Sequence, residues 1–399
     1  MKHVEDSGGI LYEDKQLGRF PMDRFRRVER PTTLITEDIQ RIDYRENPLS
    51  RAARGDFGPA VQKEGLRLGM KYPLAAAQMK ATLSLSSMKE SEVATYRAPI
   101  PEDPVLLTRH IKRLGYFLKA DIVGICQVPE YAFYSHDNQG NPIDASRYKF
   151  AVVLVMGKEF ETVRASTGYD WIVDPISFRS YQHLALVTRT IADYIRQLGY
   201  PASAEHPFKA PQAWKVTMHP LILWTGIGEL CRIGIILNPY LGASYKAAAV
   251  LTDLPLTPDK PIDFGLQDFC QRCKKCAVEC PSRAIPMGDK ALYNGYETWK
   301  LDSQRCVSFN LINPNGAFCG RCSKVCPWTR PTTWNHNFIR WAVKHSLLAR
   351  RFFISVDNIF SRGQTKGNQR DKWWFDLEEV DGVLRTPMGD RHQDTLFRV

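Results

Sequence analysis

The 399-residue chain carries 54 Lys and Arg against 43 Asp and Glu, a formal charge of +11, with 44% hydrophobic and 24% charged residues. This is ordinary globular composition, with length for one large core or two moderate ones, and the positive balance favours acidic partners, anionic substrates or nucleic acid without choosing among them. No run of 18 apolar residues occurs, since Glu229 and Arg232 interrupt the most apolar region, residues 221 to 237, so a hydrophobic membrane span is excluded.

Residues 1 to 65 are polar, basic and punctuated by Pro and Gly, and are expected to form an extended N-terminal arm. Arg26-Arg27 is followed by Val28-Glu29-Arg30-Pro31 and by no apolar stretch, so it is not read as an export signal and the chain is expected to be cytoplasmic. Residues 105 to 119 have helical periodicity, and DIVGICQV (121 to 128) and AVVLVMG (151 to 157) read as buried strands. A longer helix is expected over 177 to 198, with Tyr181, Leu184, Thr188, Ile191, Ile195 and Leu198 on one face and Gly199 as its stop. YKAAAVLTDL (245 to 254) reads as a further strand. Alternating helices and strands to about residue 260 predict an α/β sandwich over 66 to 260. A cluster segment over 261 to 330 follows, and a C-terminal segment, 331 to 399, is expected to pack back on the main domain through a helix over 335 to 352 and a polar loop over 361 to 374. KRLGY (112 to 116) and RQLGY (196 to 200) hint at a repeated helix-to-strand unit.

Eight of the ten cysteines fall in two runs, C-x2-C-x2-C-x3-C-P at Cys270, Cys273, Cys276 and Cys280, and C-x12-C-x2-C-x3-C-P at Cys306, Cys319, Cys322 and Cys326. Three cysteines at steps of three wrap one loop around three corners of a [4Fe-4S] cubane, and in two-cluster ferredoxins the last cysteine of each run serves the other cluster. Applied here, Cys270, Cys273, Cys276 and Cys326 hold one cluster, and Cys280, Cys306, Cys319 and Cys322 the second. Pro281 and Pro327 turn the chain away after each exchanged cysteine. Disulfides would require an oxidising compartment. Four-cysteine zinc sites do not require the tripled spacing. Cys126 and Cys231 are expected to be buried core thiols.

The segments FCQRCKKCAVECPSRAI, FCGRCSKVCPW, GIGELCRIGIILNPYLGASYKAAAVLTDLPL and SYQHLALVTRTIADYIRQLGY together resemble the corrinoid- and iron–sulfur-dependent reductive dehalogenases, over roughly residues 100 to 330. The resemblance implies a nitroreductase-like corrinoid-binding sandwich, of α/β (α+β) class, joined to a ferredoxin-like two-cluster domain. It implies removal of halide from an organohalide, with a corrinoid bound base-off, in keeping with the lack of a D-x-H-x-x-G motif. By position, the proton donor is Tyr181 and the neighbouring cation Lys246, whose ammonium would stabilise the phenolate. His206 corresponds to a pocket-lining polar group. Asn238, Gly242, Ala243 and Tyr245 lie in or beside the turn before Lys246, where backbone would approach the corrinoid, and Trp328 would screen a cluster from water. Some relatives carry an export leader or a fused reductase; neither is read in this sequence, and an external low-potential electron donor is therefore expected. A basic pocket around Lys246 favours anionic organohalides.

Two other functions compete. An epoxyqueuosine reductase shares the two-cluster corrinoid layout and acts on tRNA, but no compact basic-aromatic patch supports a nucleic-acid partner. A two-cluster electron carrier predicts no large cavity and leaves 260 residues without a role.

Overall fold

The computed structural model describes residues 17 to 209, 214 to 313, 318 to 360 and 367 to 386. The first 16 positions of the expected arm, part of the polar loop and the last 13 residues lie outside them.

Four antiparallel strands form the central sheet: β1 (Ile122–Gln127), β2 (Phe150–Gly157), β3 (Ala202–Glu205) and β4 (Tyr245–Thr252), in the order β1-β2-β4-β3. Period-two alternation sends successive side chains to opposite faces. Val152, Leu154, Ala248 and Val250 therefore pack on one side with Leu184, Ile191 and Ile195, while Ala151, Val153, Ala249 and Leu251 pack on the other with Leu221, Phe269 and Trp328. The sheet is thus a partition between a helical layer and the cluster region. Lys246 pairs with Met156 across β2 and β4 and shares the face of Ala248 and Val250, so its side chain enters the helical layer.

That layer consists of α1 (Pro73–Ser87), α2 (Pro104–Phe117) and α3 (Val173–Gln197). The predicted long helix starts four residues earlier than its periodicity indicated. Pro175 sits in its first turn, where a missing N–H breaks no intrahelical bond, so the proline that seemed to precede the helix belongs inside it. Gly199 adopts φ +86° just beyond the end, and a Cβ there would meet the Tyr96 carbonyl oxygen at 2.6 Å.

On the other face, α4 (Leu266–Cys273), α5 (Ser303–Ile312) and α6 (Arg321–Val325) carry Cys270, Cys273, Cys306 and Cys322, and Cys326 follows α6 directly. The segment expected to be an extended arm contains helices over Pro48–Arg54 and Pro59–Leu66, whose Ala52 and Val61 pack against Val307 and Leu311 of α5. Further upstream, Arg26–Arg27 pairs with Ile262–Asp263 at the entrance to the cluster segment. Residues 335 to 352, expected as one helix, fall in two, α7 (Trp334–His345) and α8 (Leu347–Phe360). Later, Trp374 is buried with Tyr72, Trp171 and Ile172, and the Trp171 indole N–H donates to the Phe375 carbonyl at 2.8 Å, fastening the C-terminal segment to the start of α3.

Candidate functional site

The cysteines sort into the two expected sets by their mutual electrostatics. Burial raises the Cys276 thiol pKa, and the sulfurs of Cys326, Cys270, Cys322 and Cys273 raise it further. Burial likewise raises Cys306, helped by Cys322 and Cys280, and Cys319, helped by Cys322, Cys306 and Cys280. Cys326 thus keeps company with the first run and Cys280 with the second. Sulfurs packed this way oppose each other's ionisation, and cationic iron supplies the compensation that makes four thiolates stable together. Cys270, Cys273, Cys276 and Cys326 also wall one small internal cavity together with Ile233, Leu237, Phe269 and Trp328. Trp328 packs edge-on to Phe269 at 5.6 Å between ring centroids and is 4% exposed, so it closes this set from solvent.

Arg232, which in the sequence stands out only as a charge interrupting the apolar residues 221 to 237, braces this set. It is 1% exposed and donates to the carbonyls of Cys270 (3.0 Å), Pro286 (2.8 Å) and Gly288 (2.8 Å), with its guanidinium 4.6 Å from the Trp299 ring centroid. Among the described contacts it has no carboxylate partner. A buried guanidinium bonded only to neutral carbonyls is stable beside a net-negative cluster, and the three nearest sulfurs, Cys276, Cys270 and Cys273, counter the depression of its pKa by burial.

On the helical side of the sheet, a cavity of about 990 Å³ is lined by Met156, Gly157 and Lys158 at the end of β2, by Arg179, Gln182 and His183 of α3, by Tyr240, Leu241 and Ser244, and by Thr329 to Thr333 just after the second cysteine run. A second cavity of about 500 Å³ shares Phe160, Thr329, Arg330 and Pro331 with it and adds Arg164 and Lys324. The two together form an elongated cleft of the size a corrin macrocycle with its nucleotide tail needs, and its basic end suits the tail phosphate. The existence of this cleft also removes the main expectation of the electron-carrier reading.

Tyr181 and Lys246 come together beside the cleft. The Lys246 ammonium lies over the Tyr181 ring, 4.6 Å from its centroid, and Phe208 packs edge-on to the same ring at 6.0 Å. The cation therefore faces the π surface and not the phenolic oxygen, and burial alone raises the Tyr181 pKa. Sequence reasoning expected the ammonium to lower it. Phe208 holds this position with φ +64°, and Phe178 closes the aromatic cage at 5.3 Å from it.

Two further ionisable groups of the site were not foreseen. Lys158 lines the larger cavity, and burial with the nearby Lys246 charge pushes its pKa down to about 7, opposed by Cys322, Asp174 and Cys319. Burial lowers Lys246 to about 8, opposed by Asp174 and Cys322. Asp174 is 1% exposed, both its carboxylate oxygens lack a hydrogen-bond partner, and burial pushes it up to about 7. Strongly shifted groups gathered at a cleft are what an active site requires. Lys158 was hidden at the end of an apolar strand, and Asp174 because the helix was started after it. Had α3 been extended by one turn, Asp174 would have fallen two turns before Tyr181 on the same face.

The remaining expected contacts are placed differently. Asn238 is fully buried and builds its turn: its side chain donates to the Ile227 carbonyl at 2.7 Å and accepts from the amides of Tyr240 and Leu241 at 2.9 and 3.0 Å. Gly242 has φ +61°, and a Cβ there would meet the Thr329 amide nitrogen at 2.6 Å, so the close approach is to the cluster segment. The Ala243 amide donates to the Thr329 hydroxyl at 3.2 Å, and the Tyr245 hydroxyl to the Ile236 carbonyl at 2.5 Å. His206 is buried beside the aromatic cage, its Nδ1 2.9 Å from the Pro207 carbonyl. None of these five is among the described residues that line the larger cavity; the turn they form presents Tyr240, Leu241 and Ser244 to it. Cys126 and Cys231 are both free and buried. No helix among the described residues is long and apolar enough to cross a membrane.

Comparison with known proteins agrees with this geometry. A 4Fe-4S dicluster domain family matches residues 269–329. A tetrachloroethene reductive dehalogenase of Desulfitobacterium hafniense is 37% identical over 247 residues, covering 56% of this chain and 43% of that protein. A catabolic reductive dehalogenase of known structure superposes with a TM-score of 0.87 at 37% identity over 94% of this chain and 54% of its own, and it has also been solved in complex with 3-bromo-4-hydroxybenzoic acid. The chain thus spans about half the length of these relatives. An epoxyqueuosine reductase of Salmonella typhimurium is 30% identical over 125 residues, covering only 28% of the chain and 29% of that protein. With its nitroreductase-like sandwich and its dicluster segment, the chain belongs to the family of corrinoid- and iron–sulfur-dependent reductive dehalogenases.

Proposed function

We propose that the chain removes halide from an organohalide, R–X + 2e⁻ + H⁺ → R–H + X⁻, with a base-off corrinoid in the cleft. The observation that carries this is the Tyr181–Lys246 pair behind a cleft wall that includes Arg179, Gln182 and Lys158, the last of which feels the sulfurs of Cys322 and Cys319. When bound, the corrinoid supplies a cobalt centre able to reduce the carbon–halogen bond.

The chain's own residues do the rest. Cys270, Cys273, Cys276 and Cys326 hold one cluster, and Cys280, Cys306, Cys319 and Cys322 the other, whose Cys322 and Cys319 charges reach Lys158 at the cleft. The Cys276–Cys322 proximity provides the step between them. Electrons come from an external low-potential donor. Its reading rests on the α7 and α8 surface next to the first cluster, where Trp334, Phe338, Trp341, Leu348 and Phe352 are exposed and Lys275 and Asp357 tie α8 to the cysteine loop. Burial keeps the Tyr181 phenol protonated until it gives its proton to the substrate carbon, and the Lys246 charge then offsets the phenolate. Lys246, Lys158 and Arg179 with the Phe178, Phe208 and Tyr181 rings suit an anionic halogenated aromatic, in line with the 3-bromo-4-hydroxybenzoic acid bound by the structural relative.

The test is halide release from halogenated phenols and benzoates by anaerobically reconstituted protein, run beside reduction of epoxyqueuosine in tRNA. Release of halide with inert tRNA is expected; the reverse would overturn the reading. Tyr181→Phe should retain iron and corrinoid and lose about 10²-fold or more in turnover. Full turnover in that variant would remove Tyr181 as the donor.

A further inference from the structure

We propose that Asp174 is the group that returns a proton to Tyr181 between turnovers, acting through Lys246. The inference rests on the dehalogenase reading, which consumes one proton per halide and leaves Tyr181 as a phenolate that must be refilled inside a closed site.

The placement supports the relay. Asp174 and Tyr181 stand seven residues apart on α3, two turns along one face, and so roughly 10 Å apart along the axis. That is too far for direct transfer. Lys246 enters from β4 against this face, with its ammonium already over the Tyr181 ring and its charge felt by Asp174. The carboxyl is buried and neither oxygen is engaged by any protein donor. A carboxylate left so is costly unless it is neutral or finds a mobile partner. The charged groups facing it come from three elements: Lys246 on β4, Lys158 at the end of β2, and Lys71 just ahead of α1, which also lies 3.8 Å from Glu64. Burial outweighs these cations and holds the acid near pH 7, so it carries a proton it can release under neutral conditions.

In the step itself, the Lys246 ammonium turns from the ring face to the phenolate oxygen, which takes a proton from it, breaking an N–H bond and forming O–H. The amine then takes the proton of the Asp174 carboxylic acid, and the carboxylate is reprotonated from solvent. No electron moves, and the net change is uptake of the one proton that the dehalogenation consumes. Asp174 acts through another residue and has no contact with substrate, so it is a proton-supplying residue and not a catalytic one.

Asp174→Asn keeps shape and removes the proton, while Asp174→Glu keeps the proton; both are measured in reconstituted protein. Halide release in a single turnover, limited by the electrons supplied, should match wild type in Asp174→Asn. Its steady-state rate should fall by about tenfold or more at and below neutral pH, where wild-type Asp174 carries its proton, with recovery in Asp174→Glu. Infrared spectra of the protein without corrinoid should show a protonated-carboxyl band that titrates near neutrality and is missing in Asp174→Asn. A wild-type steady-state rate in Asp174→Asn across the pH range, or the absence of that band from wild type, would overturn the proposal. A wild type that releases no halide at all sinks the dehalogenase reading instead, and the carboxyl band still decides whether Asp174 holds the proton.

Discussion

Around Cys270, Cys273, Cys276 and Cys326 the most deeply buried cation is Arg232, fixed on backbone carbonyls, with Lys275 near Cys273 and Arg330 near Cys326. Near Cys319 and Cys322 stands Lys158, which lines the cleft and whose pKa burial brings down to about 7. One cluster site is therefore braced by a charge that does not change, and the other faces a charge that responds to pH and to whatever occupies the cleft. The difference assigns roles: the first site is suited to receiving electrons at a fixed potential, the second to delivering them where protons and substrate meet.

The largest effect that breaks this comparison is loss of a cluster. Cys276→Ala and Cys322→Ala should each reduce iron from about eight to about four per chain and abolish turnover. Iron stoichiometry unchanged in either would refute the exchanged ligand scheme.

A smaller effect is expected where the two halves touch. Gly242→Ala places a methyl group on the Thr329 backbone at a left-handed position, which should cost about 1–3 kcal/mol and lower the melting temperature. Because Thr329 and Arg330 wall both cavities, corrinoid binding should weaken with it. An unchanged melting temperature would mean that the turn gives way freely.

The finest distinction is electrical. Arg232→Met should lower the midpoint potential of the first cluster by on the order of 60 mV, one tenfold shift for a one-electron couple, and leave the second nearly unmoved. Equal shifts in both clusters would remove the assignment of Arg232 to one of them.

How much of this was legible in the sequence differs between the two sides of the sheet. Cluster ligation is local, because cysteine spacing of three fixes which sulfurs share a loop. The exchange of Cys280 and Cys326 is carried over from the two-cluster ferredoxin arrangement, and in the fold Cys326 lies near Cys276 while Cys280 lies near Cys319. The strands β1, β2 and β4 were readable from their apolar runs. The cleft side was readable only in part. Tyr181 and Lys246 came from a family likeness and do stand together, but Lys158 and Asp174 meet them only through the pairing of β2 with β4 and the true start of α3. The turn residues Asn238, Gly242 and Ala243 were read as surface for a cofactor. Asn238 bonds within its own turn, while Gly242 and Ala243 meet Thr329, which lies 86 residues beyond Ala243 and which no local pattern encodes. The arm was read as extended for want of long periodicity, and its two helices of seven and eight residues are too short to show any.

The central claim is that the two clusters act in series, with the Cys280, Cys306, Cys319 and Cys322 cluster beside the cleft. Pulsed EPR on Cys276→Ala and Cys322→Ala, each retaining one cluster and loaded with paramagnetic cobalt(II) corrinoid, measures that order directly. The account predicts the stronger cobalt-to-cluster coupling in Cys276→Ala, where only the cleft-side cluster remains. Stronger coupling in Cys322→Ala, or none in either, would contradict it.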